Sequence, residues 1–291
     1  MAISASMVKE LRERTGAGMM ECKKALVTAD GDMDQAVEQL RTSGQAKADK
    51  KAGRIAADGK VVIAANGTRA TLVEVNSETD FVAKDENFVA FVDAVAQSAL
   101  AGNIADVESL NAATLDDGRT IEAARTDLVA KVGENISVRR LEQVDAADQL
   151  GSYTHGSRIG AVVALSGGDA DLARDIAMHI AATNPVCIDE SGVPADTLER
   201  ERRIFSEQAA ESGKPPEIIE KMVTGRVAKF LKEITLVGQP FVKDPDLTVG
   251  KLLKDADATV TKFVRYEVGE GIEKKEENFA EEVMKQIEDS K

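Results

Sequence analysis

The sequence predicts an α+β protein in which a small helical module precedes a duplicated core. Two observations carry this prediction. Short apolar runs recur at helical spacing through residues 4–44, and the order strand, turn, strand, polar connector, helix then occurs twice. At 291 residues the chain is longer than one typical hydrophobic core requires, so about two domains are expected.

Residues 4–44 predict three short helices. Ser4 or Ser6 is placed to cap the first helix, and Thr15-Gly16-Ala17-Gly18 ends it. Because helices this short are marginal alone, they are expected to bury one another's apolar faces. These faces consist of Met7, Val8 and Leu11, of Met19, Met20, Cys22, Ala25 and Leu26, and of Met33, Ala36, Val37 and Leu40. The third helix is expected to end before Ser43-Gly44, and the basic segment 45–58 is interpreted as a solvated linker.

The first copy of the duplicated core begins with a β-hairpin. Apolar residues 61–65 and 70–75 flank Asn66-Gly67, the strongest short hairpin signal. A polar connector, 77–85, then leads to a helix whose apolar positions are Phe88, Phe91, Val92, Val95 and Leu100. A further helix over 121–132 and a strand over 136–144 complete the copy.

The second copy repeats the order but is interrupted. Its hairpin, connector and first helix are predicted at 150–154 with 158–165, at 166–171 and at 172–182, whereas its last strand comes only at 259–268. Two helical runs, 194–211 and 216–236, lie between and are joined by a turn so short that they must pack antiparallel. A last helix, 276–289, places Phe279, Val283 and Ile287 on one stripe.

Phe81 is the most unusual residue of the first connector. Only 3% of the residues are aromatic and there is no Trp, yet this ring stands among Glu78, Asp80, Lys84 and Asp85. Either it folds back onto the following helix, or it is an anchor for another protein, because aromatic side chains serve both purposes. The matching connector of the second copy, 166–170, carries no aromatic residue, which favours the anchor.

Composition excludes several classes of function. A net charge of −14 disfavours binding to nucleic acid, whose phosphates are neutralised by clustered Lys and Arg. The chain has no apolar run long enough to span a bilayer and starts without a signal-peptide pattern, so a cytoplasmic location is expected. Cys22 and Cys187 are distant in sequence, which fits a reducing compartment better than a disulfide scaffold.

No motif for catalysis, nucleotide binding or metal binding is complete. Segment 151–158 has phosphate-loop glycine spacing, but Ser157-Arg158 replaces the required Lys and Ser/Thr. The two histidines and two cysteines form no short ligand pair, so neither a metal nor a cofactor is expected. His179 is interpreted as a packed helix residue, and His155 either as an exposed polar contact or as a turn residue without a partner. Asp80 and Asp85 are interpreted as helix-start carboxylates.

Five motifs together resemble those of bacterial elongation factor Ts, and they span nearly the whole chain. They are Leu11 to Met20, Glu74-Val75-Asn76 with Thr79 to Ala83, Val132 to Ile136, Gly151-Ser152-Tyr153 with His155-Gly156, and Gly238 to Phe241. One departure is the connector 111–120, which is longer than the family usually has.

The resemblance implies a translation factor that exchanges guanine nucleotide on elongation factor Tu without making or breaking a bond. It implies five parts: a ubiquitin-associated-like module (1–54), a core N-subdomain (55–145), a core C-subdomain (146–189 and 237–270), an inserted helical hairpin (190–236) and a C-terminal helix (271–291). Some members of the family dimerise through the hairpin.

The same resemblance implies the residues that contact the partner. Thr79, Asp80, Phe81 and Val82 would dislodge the partner's magnesium, and the module would contribute Lys9, Leu11, Arg12, Met19 and Met20. His155 would touch another domain of the partner. From the residues alone, two other hypotheses stay open: a nonenzymatic adaptor in which Phe81 is local packing, and an enzyme that uses a carboxylate pair between the core halves.

Overall fold

The computed structural model describes residues 3–273 and has the predicted α+β class. Helices occupy the N-terminal part, and two antiparallel sheets of three strands each follow within the described range. The predicted helix at 276–289 lies outside the described residues.

The N-terminal module contains α1 (Ala5–Thr15), α2 (Met19–Thr28) and α3 (Met33–Lys51). Ser4 caps α1 as predicted, because its hydroxyl accepts a hydrogen bond from the Met7 N–H. The predicted apolar faces meet in one cluster whose fully buried members are Leu11, Cys22, Leu26 and Ala36.

Helix α3 is longer than predicted, and the interpretation of 45–58 as a linker is wrong. Gly44 does not end the helix, because it is buried where α3 crosses a later helix; a Cβ at Gly44 would lie 3.6 Å from Cβ of Ala130. Ala48 is buried in the core that follows. The basic run is correspondingly engaged: Lys47 bonds Glu21, Lys51 bonds the Gly133 carbonyl and Arg54 bonds Glu78.

The first half of the core is a sheet covered by helices. Strands β1 (Asp58–Asn66), β2 (Arg69–Ser77) and β3 (Ile136–Asp145) pair in that order, and both pairs are antiparallel. Between β2 and β3 come α4 (Asp80–Ala83), α5 (Glu86–Ala101), α6 (Val107–Ala112) and α7 (Ile121–Val132). The short α6 was not predicted. Helix α5 packs its predicted apolar face, including the fully buried Phe88, onto the sheet.

The second half repeats the sheet and helix, as the duplication predicts. Strands β4 (Gln149–His155) and β5 (Ile159–Ser166) form the hairpin, and α8 (Ala170–Thr183) packs against it. The antiparallel pair α9 (Ala195–Ala210) and α10 (Pro216–Ile234) is the predicted insertion. After it come β6 (Pro240–Phe241), β7 (Asp244–Thr248) and α11 (Val249–Asp255), which were not predicted, and then β8 (Thr259–Glu267) beside β5.

The faces of the two sheets that point away from α5 and α8 pack against each other. Their shared core contains Val61, Leu72, Val162 and Tyr266. Gly160 permits the close approach, since a Cβ there would lie 2.7 Å from a methyl carbon of Val61. A backbone hydrogen bond also joins the halves, because the Val61 N–H of β1 donates to the Ser157 carbonyl in the β4–β5 turn.

A buried carboxylate, Glu74, fastens the two halves together. Its side chain has no exposure, and its oxygens accept hydrogen bonds from Arg139 at 3.0 Å, Arg140 at 2.5 Å and the Gly269 N–H at 2.8 Å. The two arginines lie on β3, whereas Gly269 follows β8. Burial alone would raise the pKa of Glu74, but the bonds from Gly269, Asn76 and Arg140 outweigh it and keep the pKa below its ordinary value.

His179 has the packed, hydrogen-bonded role that the sequence predicts. It is fully buried on α8, where its Nε2 pairs with Oε1 of Gln239 at 2.9 Å and its Nδ1 accepts from the Val242 N–H. Gln239 Nε2 in turn donates to the Glu233 carbonyl at the end of α10. This network fixes the chain where it leaves the inserted hairpin. Within residues 3–273, no helix is long and apolar enough to cross a membrane.

We predict that Glu74→Gln lowers the free energy of unfolding by about 2–4 kcal/mol, since two arginines would lose their carboxylate partner and the Gly269 amide its charged acceptor. Urea unfolding followed by circular dichroism measures this. Glu142→Gln, which removes a partly exposed partner of Lys262, is the matched control and should cost less than about 1 kcal/mol. Equal losses in the two variants would contradict the role given to Glu74.

The same carboxylate predicts a pH dependence. Its pKa is lower in the fold than the ordinary value of 4.5, so its contribution is fully present above pH 4.5 and is lost as pH falls through the folded-state pKa. Parallel unfolding series on the native chain and Glu74→Gln should therefore converge in acid. A stability difference that stays constant below pH 4.5 would show that the ionised form is not what stabilises the fold.

The inserted hairpin should be removable. Its base is closed by a parallel bridge between Cys187 and Thr235 and by hydrogen bonds from Leu236 N to Cys187 O and from Val186 N to Ile234 O. Replacing residues 195–234 with a short Gly-Ser loop should leave a soluble chain with a cooperative thermal transition. An insoluble or unfolded product would contradict the insertion topology.

Candidate functional site

The candidate site is the short helix α4, which interrupts the connection between β2 and α5. Thr79 starts it: the hydroxyl accepts a hydrogen bond from the Val82 N–H at 3.4 Å. Asp85 then starts α5 by accepting from the N–H groups of Asn87 at 2.9 Å and Phe88 at 3.3 Å. Asp85 is therefore the helix-start carboxylate predicted, whereas Thr79, not Asp80, caps α4.

Phe81 points away from the protein. Its side chain is 82% exposed, the highest value among the exposed large hydrophobic residues of the described chain. The next residues, Val82 and Ala83, are buried in the core of the first half. One face of this single turn is thus anchored and the opposite face is presented to solvent. The interpretation in which Phe81 folds back onto α5 is wrong, because Val82 and Ala83 occupy the inward positions.

Glu134, in the turn between α7 and β3, holds the start of α4. One carboxylate oxygen accepts from the Thr79 N–H at 3.0 Å and the other from the Thr79 hydroxyl at 2.7 Å. The neighbouring residues form a hydrogen bond in the opposite direction, from the 133–135 turn to the connector: the Asn135 N–H donates to the Glu78 carboxylate at 2.6 Å. Two of the motifs that define the resemblance, 74–83 and 132–136, therefore meet here.

Asp80 is an exposed carboxylate beside the ring. The hydrogen bond from Lys84 at 2.6 Å, with its positive charge, lowers the pKa of Asp80, and Arg158 adds a smaller effect. Asp80 is thus ionised at neutral pH and available to a partner.

His155, the predicted contact of the second half, is exposed at the end of β4. Arg158, across the turn, donates to Asp58 at 2.9 Å, and Ser157 is bonded to β1. The turn is therefore docked on the first half, and His155 extends from a fixed position.

The N-terminal module presents a second apolar surface. Met19 and Met20 are 60% and 75% exposed at the start of α2, and Lys9 and Arg12 are exposed on α1. Leu11 is different. It has no exposure and lies in the core of the module, so its predicted role as a direct contact is wrong; it supports the helices that carry the exposed residues. Val82 is only 9% exposed and Thr79 is half-buried. These two residues therefore support Phe81 and offer little surface of their own to a partner.

Sequence reasoning missed Glu74, Glu134 and Arg158. The first two stand inside motifs that were recognised, but nothing near them in sequence indicates their partners. Glu74 also bears on the hypothesis of a carboxylate-pair enzyme: hydrogen bonds from the Gly269 N–H, Asn76 and Arg140 keep its pKa below the ordinary value, so it holds no proton to donate at neutral pH. Among the described residues, no cluster of His, Cys, Asp or Glu could hold a metal ion.

Known proteins that resemble this chain match it along almost its whole length. The family model described as elongation factor TS matches residues 78–270. Elongation factor Ts of Thioalkalivibrio sulfidiphilus is 66% identical over 290 residues, which cover 98% of this chain and 99% of that protein. Elongation factor Ts of Methylococcus capsulatus is 59% identical over 290 residues, covering 99% of both chains. That of Idiomarina loihiensis is 58% identical over 287 residues, covering 99% of this chain and 98% of the relative.

Phe81→Ala should leave stability unchanged within about 0.5 kcal/mol, because an exposed ring contributes little to the core. Phe88→Ala is the matched control: the same substitution at a fully buried ring should cost about 3–5 kcal/mol. Thermal and urea unfolding of both variants measure the difference. A large loss of stability on Phe81→Ala would mean that the ring is buried in solution.

Proposed function

Since this chain belongs to the elongation factor Ts family and is thus a translation elongation factor, we propose that it is a guanine-nucleotide exchange factor for elongation factor Tu. It acts by binding the GDP form of its partner and promoting GDP release, so that GTP can bind. The observation that carries the proposal is the 82% exposed Phe81 ring, held on a turn whose opposite face is anchored in the core.

The proposed mechanism is mechanical displacement at the partner's magnesium and phosphate site. Magnesium requires near-ideal octahedral coordination, so a small shift of the surrounding elements weakens its binding and that of the phosphates. A rigid ring inserted between two helices of the partner would impose such a shift. Asp80, ionised beside the ring, adds a charge for orientation.

Thermodynamic linkage makes this displacement sufficient. If the chain binds the distorted, nucleotide-free partner more tightly than the GDP-bound partner, nucleotide must bind more weakly to the complex by the same factor. Each 1.4 kcal/mol of this preference weakens GDP binding about tenfold. Free GTP then completes the cycle by displacing the factor.

Other exposed residues complete the proposed interface. Met19, Met20, Lys9 and Arg12 of the module would bind the nucleotide-binding domain with Phe81, whereas His155 would contact a second domain. Methionine side chains adapt to irregular apolar surfaces, which suits α2 to this role. Spreading affinity over several contacts leaves Phe81 free to contribute mainly to the displacement. Contact through 271–291, dimerisation through 190–236 and a cytoplasmic location remain part of the proposal.

Release of a fluorescent GDP analogue from elongation factor Tu tests the function. The native chain at micromolar concentration should accelerate release, and Phe81→Ala should slow the accelerated rate at least about tenfold while keeping most of the affinity, because other contacts remain. Val242→Ala, which truncates another exposed apolar residue in the second half, is the control and should behave like the native chain.

The assay also separates the alternatives. Binding without any acceleration by the native chain would refute exchange and leave an adaptor. Acceleration that is undiminished in Phe81→Ala would refute the role of the ring.

A further inference from the structure

We propose that Glu134 is a positioning residue: its carboxylate sets the orientation in which α4 presents Phe81. The proposal rests on the proposed exchange function for its effect on rate, but the geometry itself is independent of that function. Glu134 is half-buried, belongs to the turn between α7 and β3, and does not adjoin Phe81 in sequence.

The two hydrogen bonds from Thr79 use both oxygens of Glu134. The N–H bond at 3.0 Å fixes the backbone of Thr79, and the hydroxyl bond at 2.7 Å fixes its side chain. Because the acceptor is charged, both bonds are stronger than neutral ones. The hydroxyl that donates to Glu134 also accepts from the Val82 N–H, so one side chain determines both the cap and its anchor.

Helix α4 needs such an anchor because it cannot hold its own shape. It has only four residues, far fewer than a helix requires for stability in water, and its cap bond is long at 3.4 Å. Val82 and Ala83 secure the inner face by burial, which resists withdrawal from the core but fixes the direction of the turn weakly, since apolar contacts are non-directional. Glu134 supplies the directional restraint.

Glu134 is itself held in place by its neighbours. Gly133 ends α7 in the left-handed conformation, with φ of 82°, and its carbonyl accepts from Lys51 of α3. Asn135 is secured on both sides: its N–H donates to Glu78, and its side-chain amide donates to the Arg54 carbonyl at 2.8 Å. The turn 133–135 thus joins the end of α3, the start of α4 and the start of β3. A restraint built on this turn transmits the rigidity of the sheet to Phe81.

A restrained ring matters for exchange because an aromatic wedge that must first be ordered loses binding free energy when it inserts. Loosening the turn should therefore affect the displaced state, in which the ring is inserted, more than initial binding. The expected signature is a lower maximal rate of GDP release with little change in the concentration that gives half of it.

The test compares Glu134→Gln with Glu108→Gln. Glutamine keeps one acceptor oxygen, but its NH2 group cannot accept the second bond from Thr79. Glu108, exposed on α6, provides the same loss of charge in the same half of the core. Native-state hydrogen exchange should show the Thr79, Val82 and Ala83 amides exchanging about tenfold faster in Glu134→Gln, with β2 and α5 unchanged. Glu108→Gln should leave all of these amides unchanged.

Kinetics provide the second measurement. Glu134→Gln should lower the maximal GDP release rate about fivefold to tenfold and change the half-saturating concentration less than about twofold. Thr79→Val, which removes the hydroxyl, should lower the maximal release rate by a similar factor. Thr79→Ser keeps the hydroxyl and should retain most of the native rate.

Unchanged protection of Thr79, Val82 and Ala83 in Glu134→Gln would overturn the positioning role whatever the rate. Faster exchange throughout the protein would overturn it too, because it would indicate general destabilisation. If the native chain fails to accelerate GDP release, the proposed function fails and the effect on rate fails with it, while the hydrogen-exchange pattern still decides whether Glu134 positions the turn.

Discussion

The buried ionic network around Glu74 is the constraint on which the arrangement of the two halves depends. The sheets also share an apolar core, but apolar contacts do not fix how one sheet is rotated on the other. Hydrogen bonds do, because they require defined directions. Glu74 lies on the central strand of the first sheet and binds both the arginines of β3 and the backbone just after β8. The network is closed by Arg140, which also donates to the Glu267 carbonyl and to the Glu270 carboxylate.

The same pair of strands leads from this network to the exposed ring. The backbone ladder of β2 and β3 ends with Ser77 opposite Ile136. Beyond it the pairing continues through side chains, since Glu78 accepts from Asn135 N–H and Glu134 accepts from Thr79. Carboxylates thus replace backbone carbonyls where the chain leaves the strand to form α4. The position of Phe81 therefore depends on the sheet that the hydrogen bonds of Glu74 hold in place.

The sequence was sufficient to predict the duplicated core, the inserted hairpin, the packed His179 and the outward-facing Phe81, because each depends on local periodicity or on comparing two copies. It was insufficient where a distant partner decides. Gly44 was predicted to end α3, because the sequence does not show that Ala130 packs closely against this position. Leu11 was predicted to contact the partner because it belongs to a recognised motif, but its side chain is buried in the core of the module. The residues next to Glu74 in the sequence do not indicate that it pairs with Arg140, and those next to Glu134 do not indicate that it binds Thr79.

The two copies of the core also differ in the connector where function is proposed. In the second copy, Gly167-Gly168-Asp169 alone connects β5 to α8, and Asp169 caps the helix directly. In the first copy, residues 78–85 make the same connection and contain α4 as an additional turn. The fold evidently does not require that turn, since the second half forms the same sheet and helix without it. The additional turn is held by a dedicated carboxylate and carries an 82% exposed aromatic ring, which supports the proposal that Phe81 serves to contact a partner.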